Sequence, residues 1–258
     1  MRKLMGIILC LGFSSTALAT VQSKEAKRLE SATFVVNEIM QTPEKGIPQT
    51  LIDKAVCVGV IPSELRLAFV FGGNYGRGML VCRQGGNGSW GAPSMFTSYG
   101  GNFGFQIGGE ATDIVFIVMN TGGVRKLLQS GVKLGADASA AAGPVGRSAE
   151  GATDIQLHAE ILSYSRSRGL FAGVSLAGAV LKPDHLANRR LYGRTYLPEE
   201  ILIDGRATAS PEAKQLDDVL AKYSPRGGQP FPNMEKDHAP TGQPPPTPEA
   251  IGHRSGCL

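Results

Sequence analysis

Aromatic side chains are scarce in this chain, at 7% with a single tryptophan, and charged ones make up only 19%. Four histidines and four cysteines are scattered without a Cys-x-x-Cys pair or any Cys/His spacing that would hold zinc. No apolar run reaches the roughly 20 residues that span a bilayer, which argues against a transmembrane helix. A strong basic field, the usual mark of a general nucleic-acid binder, is also missing. What the chain has in excess is glycine, 34 residues among 258, with no collagen-like period. Strand interiors accept glycine where backbones or large side chains come close. The composition therefore predicts tightly coiled sheets with glycine at bends and close contacts.

Residues 1–19 read as a secretory signal peptide. Arg2 and Lys3 form a positive start, Leu4 to Phe13 an apolar core, and Ala17-Leu18-Ala19 a cleavage site before Thr20. Cys10 raises a lipoprotein alternative, but Leu9 stands where lipid attachment calls for a small residue. The mature chain would be exported, periplasmic or secreted, and peripheral to a membrane. It would carry 24 basic and 22 acidic side chains, a net of +2. The charge is uneven: residues 125–194 hold ten basic and five acidic side chains, and residues 195–258 six and nine. A basic middle can attract anionic headgroups, and it can equally be a solvated surface.

Along the chain, Ala26, Leu29, Ala32, Val36 and Ile39 recur at helical spacing and predict an amphipathic helix over Ser23 to Met40. Lys24, Lys27 and Arg28 cluster at its start. Such a helix can lie on an anionic membrane, or pack its stripe on the domain. A short helix from Pro48 to Ala55 follows. Strands are expected at Val56 to Ile61, Leu67 to Phe71, Gly78 to Arg83, Gly100 to Gly108, Ile155 to Ser165, Gly169 to Leu181 and Glu200 to Ile203. Ile114 to Met119 is continuously apolar and predicts a central buried strand. Gly72-Gly73-Asn74 and Gly85 to Gly88 read as turns. Helices are expected from Thr121 to Ser130, from Pro183 to Tyr192, and from Ser210-Pro211 to Tyr223. From Ser224 onward the chain is proline, glycine and polar residues, a composition that predicts disorder. Cys57 and Cys82 can pair if their strands are neighbours. In a three-strand meander the middle strand would keep them roughly 9–10 Å apart, too far for a bridge.

Reaction chemistry is hard to assemble from these residues. Gly72 to Gly78 lacks the Gly-Lys-Ser/Thr of a phosphate loop. Ser175 lies one residue off the hydrolase elbow, in a segment that alternates like a strand interior. His158 and Glu160 resemble part of a deaminase motif whose Pro-Cys-x-x-Cys is absent. Ala111-Thr112-Asp113-Ile114 recurs as Ala152-Thr153-Asp154-Ile155, an echo explained by turns in which the aspartate bonds nearby amides. No enzyme, cofactor or metal is expected.

Several runs in order carry a resemblance. They are Gly72-Gly73-Asn74-Tyr75-Gly76-Arg77-Gly78, Trp90-Gly91-Ala92-Pro93, Phe103-Gly104-Phe105-Gln106-Ile107-Gly108 and Ala111-Thr112-Asp113. After them come Leu134-Gly135-Ala136-Asp137-Ala138-Ser139, Ala142-Gly143-Pro144-Val145-Gly146-Arg147 and Ser163 to Gly173. Residues 25 to 222 thus resemble the SYLF domain, a lipid-binding module. The resemblance implies binding of phosphoinositide-like or other anionic membrane lipids through a basic amphipathic helix, and in eukaryotic relatives a role in actin regulation. Lys24, Lys27 and Arg28 inherit the membrane role; Arg166, Arg168, Lys182, Arg189 and Arg190 are further lipid-binding candidates. The signal peptide puts the headgroup and actin binding in doubt. The alternative is an envelope structural or protein-interaction module that never touches lipid. The expected architecture is α+β and β-rich: a strongly twisted, largely antiparallel sheet or barrel-like core over residues 20–223 with flanking short helices, and a tail over 224–258.

Overall fold

A computed structural model describes residues 22–42, 46–68, 71–103, 108–146, 158–167 and 170–225. The signal peptide, Arg168, the second copy of the echo, the middle of the expected strand 100–108 and the Pro/Gly-rich tail lie outside the described residues.

Among the described residues nine strands form one strongly curled, half-barrel sheet, as the sequence leads one to expect. They are β1 (Cys57–Ala68), β2 (Phe71–Cys82), β3 (Ser94–Phe103), β4 (Gly108–Val118), β5 (Val132–Lys133), β6 (Ala140–Ala142), β7 (Ile161–Ser167), β8 (Leu170–Gly173) and β9 (Val180–Pro183). Their order is β5-β9-β3-β2-β1-β4-β7-β6, with β8 pairing β7. Every pairing is antiparallel except β6 with β7. Among the described residues six α-helices flank the sheet: α1 (Lys24–Met40), α2 (Gln49–Lys54), α3 (Thr121–Leu127), α4 (His185–Tyr192), α5 (Pro198–Leu202) and α6 (Pro211–Tyr223).

The two sheet faces bury separate cores. Val58, Val60, Met79, Val81, Met95, Val115 and Ile117 point toward α1 and α6. The helical stripe of α1 is spent there, with Leu29 and Ile39 fully buried. Burial of a side chain that size contributes about 1.5–3 kcal/mol, which outweighs the modest propensity of an isolated helix. On the other face Ile61, Leu80, Phe96, Ile114 and Phe116 pack under α3, α5 and the 176–181 segment. The Phe96 and Phe116 rings meet edge to face at 5.6 Å. Gly59 makes room for them, since a Cβ there would lie 2.1 Å from the Phe116 ring.

Ser23 caps α1 through a bond from the Ala26 N–H, and Ser210 caps α6 in the same way. Gly193, at φ 70°, ends α4 in the left-handed region that glycine adopts without a Cβ penalty. Ile114 to Val118 is central and buried between β1 and β7, as its continuous apolar run requires.

Other expectations need correction. Gly72-Gly73-Asn74 is no turn; it runs inside β2, paired on both sides. Further along β2, glycine serves close packing: a Cβ on Gly76 would lie 2.4 Å from Ile61, and one on Gly78 2.3 Å from the Val60 carbonyl oxygen. The expected strand Leu67 to Phe71 is split between the end of β1 and the start of β2. The middle strand of the meander therefore does not exist, and Cys57 and Cys82 become register partners joined by a disulfide. Residues 100–108 divide likewise between β3 and β4. Gly169 to Leu181 is two strands separated by a turn, where Gly178 has φ 91°. Glu200 to Leu202 belongs to helix α5, with Ile203 as its C-cap; Pro198 starts the helix and Glu200 caps it by accepting from the Leu197 N–H. Asn120 rather than Thr121 caps α3, accepting from the Gly123 N–H at 2.9 Å. Ala111-Thr112-Asp113 lies within β4, not in a turn.

One irregularity shapes the rest of the molecule. At Pro62-Ser63, β1 holds one residue more than either neighbour, so its register shifts against both β2 and β4. Ser63 takes φ 52°, and its N–H donates to Asp113 Oδ1 at 2.9 Å. A bulge of this kind resets the alternation. Glu64 consequently turns to the α3 face, buried, where Asn74 and Ser98 donate to it. Leu65 turns to the α1 side and is exposed.

Candidate functional site

The α1 side of the sheet is covered only in part. Past the start of α1, β1, β2 and β3 continue as a lip. There Leu65 pairs with Tyr75 and Tyr75 with Tyr99 in one cross-strand row. These three side chains are 53%, 46% and 43% exposed. Half-buried Val180 on β9 extends the row.

Beside the row lies a cation cluster. Lys24, Lys27 and Arg28 follow helical spacing, so one turn of α1 presents all three. They line a groove whose other wall is Leu65, Tyr75 and Arg77. Arg77 Nε donates to the Tyr75 hydroxyl at 2.8 Å, an attachment that raises its already high pKa. Arg28 is half-buried, and burial lowers its pKa while nearby Glu25 opposes that; a guanidinium stays charged at any ordinary pH. Lys182 joins through register, as Arg77 pairs with Thr97 and Thr97 with Lys182. Two strand spacings put Lys182 roughly 10 Å from Arg77. The nearby acids are engaged: Glu25 holds Arg190 at 2.7 Å, and Asp184 accepts from the Ala187 N–H.

The eight cations named from the sequence thus part company. Lys24, Lys27, Arg28 and Lys182 gather around one lip. Arg189 is exposed on the last turn of α4. Arg190 neutralises the buried Glu25. Arg166 is a cross-link: it pairs with Glu38 of α1 and, at 2.9 Å, with Asp113 of β4. Phe34 and Phe171 flank its guanidinium at 5.3 and 5.9 Å. Both carboxylates compensate its charge, which gives it a structural role at the α1–β4 contact. Arg168 lies outside the described residues.

Sequence reasoning missed Arg77, Leu65, Tyr75 and Tyr99. The signal was present: Tyr75, Arg77, Met79 and Val81 alternate as a strand does. Reading the glycines around them as a turn hid it.

The residues weighed for chemistry occupy ordinary places. Ser175 sits in an exposed turn between β8 and β9, not in a strand, and its Oγ accepts from the Ala177 N–H. Glu160 lies just before β7, holding Lys126 at 2.7 Å and the Ser139 N–H at 2.9 Å. That hydrogen bonding lowers its pKa although burial alone would raise it. No helix among the described residues is long and apolar enough to cross a membrane.

Comparison with known proteins gives consistent matches. Residues 99–223 match the Ysc84 family, described as Las17-binding protein actin regulator. Protein YSC84 of Saccharomyces cerevisiae is 34% identical over 207 residues, covering 79% of this chain and 43% of that protein. SH3 domain-containing YSC84-like protein 1 of Xenopus laevis is 34% identical over 208 residues, covering 80% and 61%. LAS seventeen-binding protein 3 of Saccharomyces cerevisiae is 35% identical over 219 residues, covering 82% and 47%. The chain spans about half the length of the curated relatives it matches. No solved structure matches.

Proposed function

This chain carries a domain of the Ysc84 (SYLF) family, and from that and the lip we propose that it docks on membranes by binding anionic lipid headgroups. We read it as a binding module and not an enzyme. One observation carries the reading: Lys24, Lys27, Arg28 and Arg77, from two elements far apart in sequence, line a single open groove. Cations at an anionic bilayer contribute about 1 kcal/mol each, so the cluster gives a useful but reversible attachment. The mature protein, exported behind residues 1–19, would act at a cell-envelope membrane. Phosphates of the phosphoinositide kind suit the arginines, which can hold an oxyanion by two parallel hydrogen bonds. Of the two placements open to the apolar stripe of α1, the structure has it packed on the domain, so the basic edge of that helix is the part offered to lipid.

Vesicle flotation of the full chain tests this. Phosphatidylglycerol-containing vesicles should carry the protein upward and neutral phosphatidylcholine vesicles should not. Added salt should weaken the binding, since exposed charges are screened within about 10 Å at 0.1 M. A Lys24→Ala, Lys27→Ala, Arg28→Gln variant should lose most of it. Equal binding to both vesicle types, or an unaffected variant, overturns the reading.

A second reading rests on the relatives' names, which describe Las17-binding proteins and SH3 domain-containing proteins. In it the same face holds an acidic protein partner. It predicts no flotation at any lipid composition.

A further inference from the structure

We infer that the part of the domain entering the lipid is the cross-strand row Leu65, Tyr75 and Tyr99 on the sheet lip, not a helix. The inference rests on the docking reading above and adds to it the residues that insert.

The row exists because of the bulge. Without the extra residue at Pro62-Ser63, Leu65 would turn to the α3 face, where Glu64 now lies. Instead three large side chains on adjacent strands stand on one face, each 43–53% exposed. Strands are about 4.8 Å apart, so the row is a band roughly 10 Å wide on a rigid support. Its chemistry fits the boundary of a bilayer. Tyrosine has an apolar body and a polar tip and is favoured where one end is dry and the other wet. Tyr75 keeps its hydroxyl on Arg77, a cation two residues further along the same strand.

The α1 stripe cannot supply this contact, because Leu29, Ala32, Val36 and Ile39 are buried at 0–2% exposure. The occupant is an anionic bilayer, argued from charge. Lys24, Lys27, Arg28, Arg77 and Lys182 border the row, so a second copy of the same face would meet it cation against cation. A surface of phosphates above an apolar layer complements both parts at once.

Tryptophan placed in the row tests the idea. Trp90, the native tryptophan, is buried with its indole N–H on the Ser224 carbonyl, so it supplies a constant background. Leu65→Trp and Tyr75→Trp are made singly in the full chain. Leu197→Trp, exposed beside α5 at the opposite end of β2 and β3, is the reference. On phosphatidylglycerol vesicles with brominated acyl chains, emission at positions 65 and 75 should shift to the blue and be quenched. Position 197 should not respond. A Leu65→Ser, Tyr75→Ser variant should bind vesicles about tenfold more weakly, as expected for lost apolar burial, with an unchanged thermal midpoint. Vesicle binding with unquenched probes at 65 and 75 overturns insertion while leaving headgroup docking intact. No vesicle binding by the unmodified chain overturns both. A blue shift that grows with protein concentration without vesicles assigns the row to self-association and also overturns it.

Discussion

Cys57 and Cys82 face each other as register partners at the end of β1 and β2 opposite the lip, their Cα atoms 4.0 Å apart and both side chains fully buried. The bond closes a loop of 25 residues in sequence. In the chain-entropy account a loop of that size stabilises by about 3 kcal/mol, acting on the unfolded state. Cys57→Ser, Cys82→Ser should therefore lower unfolding free energy by about 2–4 kcal/mol. Urea unfolding followed by circular dichroism checks this; an unchanged midpoint sinks it.

Arg166 should behave as a structural residue. Arg166→Gln leaves Glu38 and Asp113 without their shared cation. The expected loss is on the order of 1–2 kcal/mol, reduced because all three groups keep some solvent contact. Vesicle binding at matched folded concentration should not change. A binding loss as large as that of the α1 triple variant would return Arg166 to the lipid site.

Gly59 should reject even a methyl group. Gly59→Ala drives a Cβ into the Phe116 ring and should cost about 1–3 kcal/mol by overpacking. Pairing it with Phe116→Leu should recover part of the loss, a coupling that a thermal double-mutant cycle reads directly. Gly101→Ala, whose nearest contact would be 3.9 Å away, is the mild comparison.

Much of this was legible beforehand. The stripe of α1, the starts of α1 near Ser23 and of α6 at Ser210-Pro211, the central strand near Ile114 and the end of α4 at Tyr192 followed from period and local sequence signals. The strand ends were hidden for one reason. Glycine marks turns in most sequences, yet Gly72 and Gly73 run inside paired β2, and Gly76 and Gly78 beyond them permit close packing in a curled sheet, a tertiary demand that spacing does not display. The half of the site on α1 was legible because helical spacing gathers nearby residues. Arg77, Leu65 and Tyr99 join it only through strand pairing and a bulge.

Asp217 should make stability depend on pH. Burial first, and the charge of Asp218 second, raise its carboxyl from 3.8 to about 7. Its Oδ1 is buried without a hydrogen-bond partner among the described residues; burial first, and the Asp217 charge second, push up the Tyr192 hydroxyl on α4. Between those two pH values the folded protein holds a proton that the unfolded chain has released, so stability falls as pH rises through the window. Asp217→Asn should flatten that part of the thermal-midpoint profile and raise the midpoint above about pH 7. An unchanged profile would place the carboxyl in water.

At the far end of the sheet, Arg83 is fully buried. It donates to the carbonyls of Ala55 and Ser224 and stacks on Trp90 at 4.1 Å. This clasp fixes where the polypeptide leaves the domain. Eight residues of extended strand separate Arg83 from Tyr75, up to roughly 27 Å at about 3.4 Å per residue. With the lip against lipid, Arg83 and the Ser224 it holds stand up to several screening lengths, each about 8 Å in physiological salt, from the charged surface. The domain then acts as a standoff that holds this exit point outside the membrane's own field.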